Sequence, residues 1–457
     1  MVRQKEALRS LSAEIREKSP RSYEAWQRYR DVLPAGVGSR FRLARPFPMV
    51  VRDAKGSRVW DVDGNEYVDC SAAFGPLILG NTPEIVAQAV AEQLPKGWCY
   101  GASHENEYAL AKLVVESMPS IKKVAFCNSG SEATLYALRL ARAATGRSMV
   151  AKFEGGYHGV HDFLVASTIS PRIHPDMCGP IEDPLTVPES PGLLQAAWQE
   201  TITLPFNHPA ALEKIERYAD RLAAVIVEPV QGGGAIAAKK DFLEQVRLVT
   251  AKAGILLVLD EVLTGYRVAL GGGQQLFDVV PDITTLGKVL GGGFPMGAVG
   301  GSAKVMRYME YDQDPQGTIL FGGTFNGNPI TMAAGHATLS WLVEHPEAYD
   351  TLSAKGDRIR NELNEFCQEH DFRAQVIGVG SLFAIHLVDG EINGPRDLSK
   401  EDRSVAESLR MLVRLKGLHI LPHHGFISTA HTDGDIDFII NTYKEALNDL
   451  RSAGLAD

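Results

Sequence analysis

Short runs of apolar residues recur along the middle of the chain without the in-and-out alternation of a half-exposed strand. They are Val124–Cys127 (VAFC), Met149–Phe153 (MVAKF), Ala223–Val230 (AAVIVEPV) and Ile255–Asp260 (ILLVLD). Stretches of helical period lie between several of them, as at Ser131–Ala144 and Asp241–Lys252. A strand that is apolar on both faces needs cover on both, so the pattern from about Pro83 onward predicts an α/β unit with a mostly parallel sheet between helices. Ahead of it, Met49–Ala72 alternates β-formers with turn signals at Lys55-Gly56 and Asp63-Gly64, which predicts a small antiparallel meander.

Beyond Pro329 the spacing predicts a long helix and a second one from about Tyr349. Strands follow at Ala374–Val379 and Leu382–Val388, then a helix near Ser404–Leu415, a short strand pair near Ile420 and Ile427, and a last helix from Asp435. This α+β texture reads as a separate, smaller domain. The expected division is 1–75 for an N-terminal helix and the meander, 76–328 for the large α/β domain, and 329–457 for the smaller one. The proline-rich stretch Ile173–Gly192 has little periodicity and is expected to be a long loop near the site or at an interface.

Composition narrows the classes. The 457 residues carry a net charge of −10 with no basic run, which argues against a nucleic-acid or anionic-membrane partner. The five cysteines are scattered, odd in number and without CxxC spacing, so a cytoplasmic setting with reduced thiols and no metal framework is expected. No apolar run approaches the ~20 residues that span a bilayer, and the N-terminal stretch is charged and amphipathic.

In an open α/β sheet, ligands bind beyond the carboxyl ends of the strands, and four features fall there. After VAFC come Ser129, Gly130 and Ser131 at a helix start, read either as an anion site or as a plain serine cap. Asp260 ends ILLVLD, read as a loop aspartate or as a partner for a protonated ring nitrogen. Tyr157 and His158 sit within GGYHG, where an aromatic ring could stack on a flat ligand. Lys288 lies between glycine-containing stretches in TTLGKVLGGG, read as a solvated charge or as a desolvated amine nucleophile. A phosphate cradle, a ring platform, an acid for a pyridinium and an amine for an aldehyde together match pyridoxal 5′-phosphate, PLP. Neither a metal-ligand cluster nor a GxGxxG or GxxxxGK[ST] motif competes.

The segments LDEVLTGYRV, TTLGKVLGGGFPMGAVGG, NSGSEATLYALRLARAATGR, FEGGYHG and GTFNGNPITMAAG resemble those of class III aminotransferases, PLP enzymes of fold type I. The nearest branch is that of glutamate-1-semialdehyde 2,1-aminomutase, with the β-amino-acid and D-phenylglycine aminotransferases beside it. The resemblance runs from about Leu33 to Ile440. It implies a large domain plus a smaller α+β domain built from the C-terminal part and the N-terminal segment. Lys288 would be the Schiff-base lysine and then the proton carrier, and Asp260 would keep the ring nitrogen protonated. Ser129, Gly130 and Ser131 would hold the phosphate, Tyr157 and Val262 would flank the ring, and His158 and Glu228 would complete the cofactor site. Thr324 would reach the cofactor phosphate of a neighbouring copy, which implies a homodimer with shared active sites.

Departures from the family pattern bear on the reaction. Leu263 stands where several ω-amino acid enzymes have glutamine, and Gly233 where ornithine-type enzymes have a switch glutamate. LPHHGFISTAH (Leu421–His431) lacks the acid of the aminomutases, which favours a ping-pong aminotransferase working between an amino acid and a keto acid. The alternative is an intramolecular aminomutase; a non-catalytic binding module is disfavoured by the intact Lys288, Asp260 and phosphate loop. GVGSRFRLARPFP brings Arg40, Arg42 and Arg45 together; Arg45, beside Pro46, reads as surface charge. By resemblance Arg40 or Arg42 would grip a substrate carboxylate, and His424 would stand where the β-amino-acid enzyme has a second arginine. The reacting amine need not be at the α position.

Overall fold

The computed structural model describes residues 2–420 and 424–455. Residues 421–423, the start of the LPHHGFISTAH segment, lie outside the described residues.

A seven-stranded sheet organises the middle of the chain. Its order is Lys123–Cys127, Gly297–Gly301, Ile283–Gly287, Leu256–Asp260, Leu222–Val227, Met149–Phe153 and Thr201–Leu204. All neighbours pair in parallel except Gly297–Gly301, which is antiparallel to both strands beside it. Every residue of Met149–Phe153, Leu222–Val227, Ile283–Gly287 and Gly297–Gly301 is buried, which explains why these strands show no polar alternation. The expected strand Ala223–Val230 is broken: it ends at Val227, and Val230–Gln231 pairs separately with Ile236–Ala237. Pro229, which has no backbone N–H to donate, stands at the break and releases Glu228 from the ladder.

The helix Gly130–Thr145 follows the edge strand Lys123–Cys127. Ser129 caps it by accepting from the Glu132 N–H at 3.2 Å, and Gly146 closes it with φ +69°. One face of this helix packs on the sheet through Ala133, Ala137, Leu138 and Ala141.

The N-terminal and C-terminal parts meet in a second sheet. The meander Val51–Lys55, Arg58–Asp61, Glu66–Asp69 is antiparallel, as expected, and Leu418–His419 adds to it in parallel beside Glu66–Asp69. Gly425–Phe426 joins a third sheet, pairing with Leu382–His386. The expected pairing of strands near Ile420 and Ile427 with each other is therefore corrected: each short strand finds a longer partner, because two-residue strands gain more from completing an existing sheet than from pairing alone. The helix Asp433–Ser452 starts with a capping box between Thr432 and Asp435. Asp435 also takes Arg58 (2.5 Å) and Ser57 (3.0 Å) from the meander, stapling the chain's two ends. No helix among the described residues is long and apolar enough to cross a membrane.

The long helix Glu347–Glu369 lies against the turn before Leu382–His386. Gly356 faces the Gly380 carbonyl so closely that any Cβ would overlap it. Gly356→Ala is expected to destabilise the fold by about 1–3 kcal/mol in urea unfolding. A change within about 0.5 kcal/mol would show that the backbone there yields freely.

Candidate active site

Four adjacent parallel strands end on one edge of the large sheet. Ile283–Gly287 delivers Lys288, Leu256–Asp260 delivers Asp260, Leu222–Val227 delivers Glu228, and Met149–Phe153 delivers the loop Gly155–Gly159. Two strands further along, Cys127 leads into Ser129 and the helix start.

Asp260 is 2% exposed. One carboxylate oxygen accepts from the Val262 N–H (3.1 Å) and the Thr285 hydroxyl (2.9 Å), the latter set by the register that puts Asp260 opposite Thr285. The other oxygen meets His158 Nδ1 at 2.7 Å. Burial pushes the His158 imidazole down, and the Asp260 carboxylate opposes that shift. Glu228 accepts from the backbone N–H groups of Tyr157 (2.8 Å) and Gly232 (3.1 Å). Burial pushes its carboxyl up, and the Asp260 charge adds to this.

Lys288 takes a left-handed backbone conformation, φ +46°, in which a non-glycine residue is strained. Burial pushes its ammonium below the ordinary lysine range; Glu228 and Asp260 pull it back, and Arg267 pushes with burial. The result is an amine more easily freed of its proton than a solvated one.

The helix start is shaped as a cradle. A Cβ at Gly130 would come within 2.8 Å of Val262 Cγ1, so only glycine lets the loop approach the turn after Asp260. Ser131 Oγ accepts from the Val160 N–H at 3.2 Å and fills the space beside Gly159, whose φ is +95°. A Cβ at Gly287 would also come within 3.3 Å of Val262 Cγ1, so the helix-start loop, the Asp260 turn and the lysine strand crowd round one side chain. A helix N-terminus for a dianion, a buried carboxylate for a ring nitrogen and an amine, all at one end of the same sheet, fit PLP in the chemistry of the donor set.

Tyr157 is 38% exposed and meets Phe41 edge-on, with centroids 5.5 Å apart. Phe41 lies in the 3₁₀ turn Arg40–Arg42, so both arginines stand exposed on a turn that borders Tyr157. Thr324 is exposed on the loop that Asn128 holds through Asn326 at 2.8 Å. His424 packs edge-on against Phe426, 4.7 Å between centroids, and lines a small cavity with Arg172, Glu401, Arg410 and Tyr443.

Sequence reasoning missed Lys152. Its ammonium donates to the Gly156 (2.8 Å) and Leu164 (3.1 Å) carbonyls, to the Ala166 carbonyl and to the Thr168 hydroxyl (3.0 Å), and burial pushes it down to about 7. The signal was a single charge in the otherwise apolar MVAKF. Thr285, which orients Asp260, carried no signal beyond its strand.

Beside the helix start, His161 contacts the Thr134 hydroxyl at 3.2 Å. Burial, helped by the charges of His158, Arg142 and Lys152, pushes its imidazole down to about 4. A histidine with a depressed folded pKa contributes stability that is present above the unfolded value, near ~6.5, and lost as pH falls from there towards about 4. The urea midpoint should therefore drop between pH 7 and pH 4.5, and His161→Gln should make that drop shallower. An unchanged pH slope in the variant would remove His161 from this role.

The family model described as Aminotransferase class-III matches residues 42–430. A relative named glutamate-1-semialdehyde 2,1-aminomutase, from Ignicoccus hospitalis, is 39% identical over 93% of this chain and 99% of its own. An omega-transaminase structure from Sphaerobacter thermophilus superposes with a TM-score of 0.88 at 35% identity, covering 94% of this chain and 98% of that one. A β-phenylalanine aminotransferase structure from Variovorax paradoxus gives 0.88 at 30% identity, with 98% of each chain covered. With matches over nearly its whole length, and with the residues for the group in place, the chain belongs to the class III aminotransferases and its cofactor is pyridoxal 5′-phosphate.

Proposed function

We propose that this enzyme moves an amino group on a small amino compound that carries a carboxylate. The observation that carries the reading is the convergence of Lys288, the Asp260–His158 pair and the Gly130 cradle at one sheet edge, with the Arg40–Arg42 turn bordering Tyr157. Bound PLP supplies an aldehyde to capture the amine and a protonated ring to take up the electron pair left when a C–H bond breaks. Gly130 and Ser131 receive the phosphate at the helix N-terminus, with Ser129 holding that helix start. Tyr157 and Val262 would hold the ring from either side. Asp260 holds the proton on the ring nitrogen, and His158 and Thr285 keep its oxygens aimed. Lys288 would carry the cofactor through its amine and, once freed, would take up and return the substrate's proton. Glu228 steadies the Tyr157 backbone. Arg40 or Arg42 grips the carboxylate as a planar fork, and His424 stands by as a second polar contact. Thr324 serves the phosphate of a second copy, so the working unit is a homodimer.

Transfer within one molecule and transfer between two use the same parts. The names of the curated relatives, 36–39% identical, favour the intramolecular form, a glutamate-1-semialdehyde-type 2,1-aminomutase, over the ping-pong aminotransferase that the departures in sequence favoured. A specific observation keeps the intermolecular reading: the solved structures at 35% and 30% identity are named as transaminases. Single-turnover mixing of the PLP form with an amino compound separates the two. The aminomutase returns an isomer of its substrate and no keto product; an aminotransferase releases one keto acid per site and stays in the amine form.

Three substitutions test the roles. Asp260→Asn should slow proton abstraction by about three to four orders of magnitude with PLP still attached to Lys288, as when a geometry-preserving change removes an essential charge; near-normal turnover would refute the role. Replacing Arg40 and Arg42 singly with methionine should raise KM for the carboxylate substrate strongly in one case. Wild-type KM in both, or equal reaction of amines lacking a carboxylate, would defeat the carboxylate grip.

A further inference from the structure

Two ion pairs with little exposure lie outside the chemistry above, and both tie the segment 389–401 to the other side of the molecule. Arg396 forms a two-pronged pair with Glu154, Nε to Oε2 at 2.8 Å and Nη2 to Oε1 at 2.7 Å. Two more of its N–H groups donate to the carbonyls of Gly179 (2.7 Å) and Cys178 (3.2 Å). Arg172 meets Glu401 at 2.7 Å at the far end of the same segment. The segment is stiffened from within, because Asp397 accepts from the N–H groups of Asn393 (2.9 Å) and Gly394 (3.0 Å). Asn207 fastens it again by donating to the Asn393 carbonyl at 3.0 Å.

Glu154 is the last side chain before the loop Gly155–Gly159, and its side chain is only 2% exposed. Its backbone is fixed on both sides, by the Leu204 carbonyl (2.9 Å) and by the Gln231 amide (2.7 Å). Pro395, next to Arg396, sits against Gly155: a Cβ there would come within 2.9 Å of it, and Gly155 has φ +78°. A guanidinium fork fixes a carboxylate in plane as well as in distance. Burial pushes the Glu154 carboxyl up, and the Arg396 guanidinium, with the Lys214 charge behind it, opposes this.

We propose that Arg396 is a positioning residue for the cofactor ring, acting through Glu154 on the loop that presents Tyr157 and His158. The segment 389–401 thereby sets the tilt of a platform it does not touch directly. The inference rests on the reading of Tyr157 as that platform.

The test uses the PLP-loaded enzyme with two readings: the rate at which PLP is released into a chase, and the visible circular dichroism per bound PLP, which reports ring orientation. Arg396→Gln should speed release on the order of tenfold and change the dichroism, since it leaves a buried carboxylate unpaired. Glu154→Gln combined with Arg396→Gln replaces the ion pair by a neutral one and should recover most of both signals. Wild-type release and dichroism in Arg396→Gln, a loss confined to the thermal midpoint, or a double variant no better than the single one would each overturn the proposal. If Arg396→Gln fails to fold, Arg396→Lys, which keeps the charge and loses the fork, decides by the same readings. Failure of the platform reading would register separately, as Tyr157→Ala leaving the dichroism of bound PLP unchanged.

Discussion

A carboxylate buried at the end of a central parallel strand needs donors from elsewhere, and Asp260 draws them from three segments. One comes from its own turn, one from the neighbouring strand through Thr285, and one from the Tyr157 loop through His158. Each fixes a part of the site. The strand that offers Thr285 is the one that ends in Lys288, so the register that satisfies the carboxylate also sets the height of the amine. The loop that offers His158 also carries Tyr157. Left without these donors in so dry a place, the carboxylate would carry a large desolvation cost.

The surrounding restraints share a logic. The loop Gly155–Gly159 is held from below by Lys152, from the side by Glu228 and from the C-terminal part through Glu154. Strain sits at Lys288, whose left-handed backbone only a well-braced neighbourhood can keep. Val262 provides one brace, standing where a Cβ at either Gly130 or Gly287 would meet it.

Much of this was open to inspection in the sequence, and the boundary is physical. Strands apolar on both faces announce themselves, and so do helix starts with serine and glycine, so the large sheet and the position of Ser129 were legible. Lys288, Asp260 and Tyr157 acquired roles because whole segments resemble a family. Long-range pairing was not legible. Nothing local says that Leu418–His419 will join Glu66–Asp69, or that Phe41 will stand against Tyr157. Lys152 was passed over because its partners are carbonyls, which every residue has, so no pattern of side chains marks them. The break after Val227 was hidden because Glu228-Pro229 reads as a small interruption in an apolar run, whereas the fold uses it to turn a carboxylate inward.

The sheet that joins the chain's two ends has a consequence for synthesis. The strand Glu66–Asp69 finds its parallel partner only at Leu418, about 350 residues later. At roughly 5–20 residues per second, a ribosome takes on the order of 20–70 s to supply it. Over that interval the meander has an open hydrogen-bonding edge, and Val68 and Cys70 lack the late-made helix against which they are finally buried. The N-terminal segment therefore emerges first and is completed last, and its exposure to chaperones and to like strands on neighbouring ribosomes is set by the length of everything between.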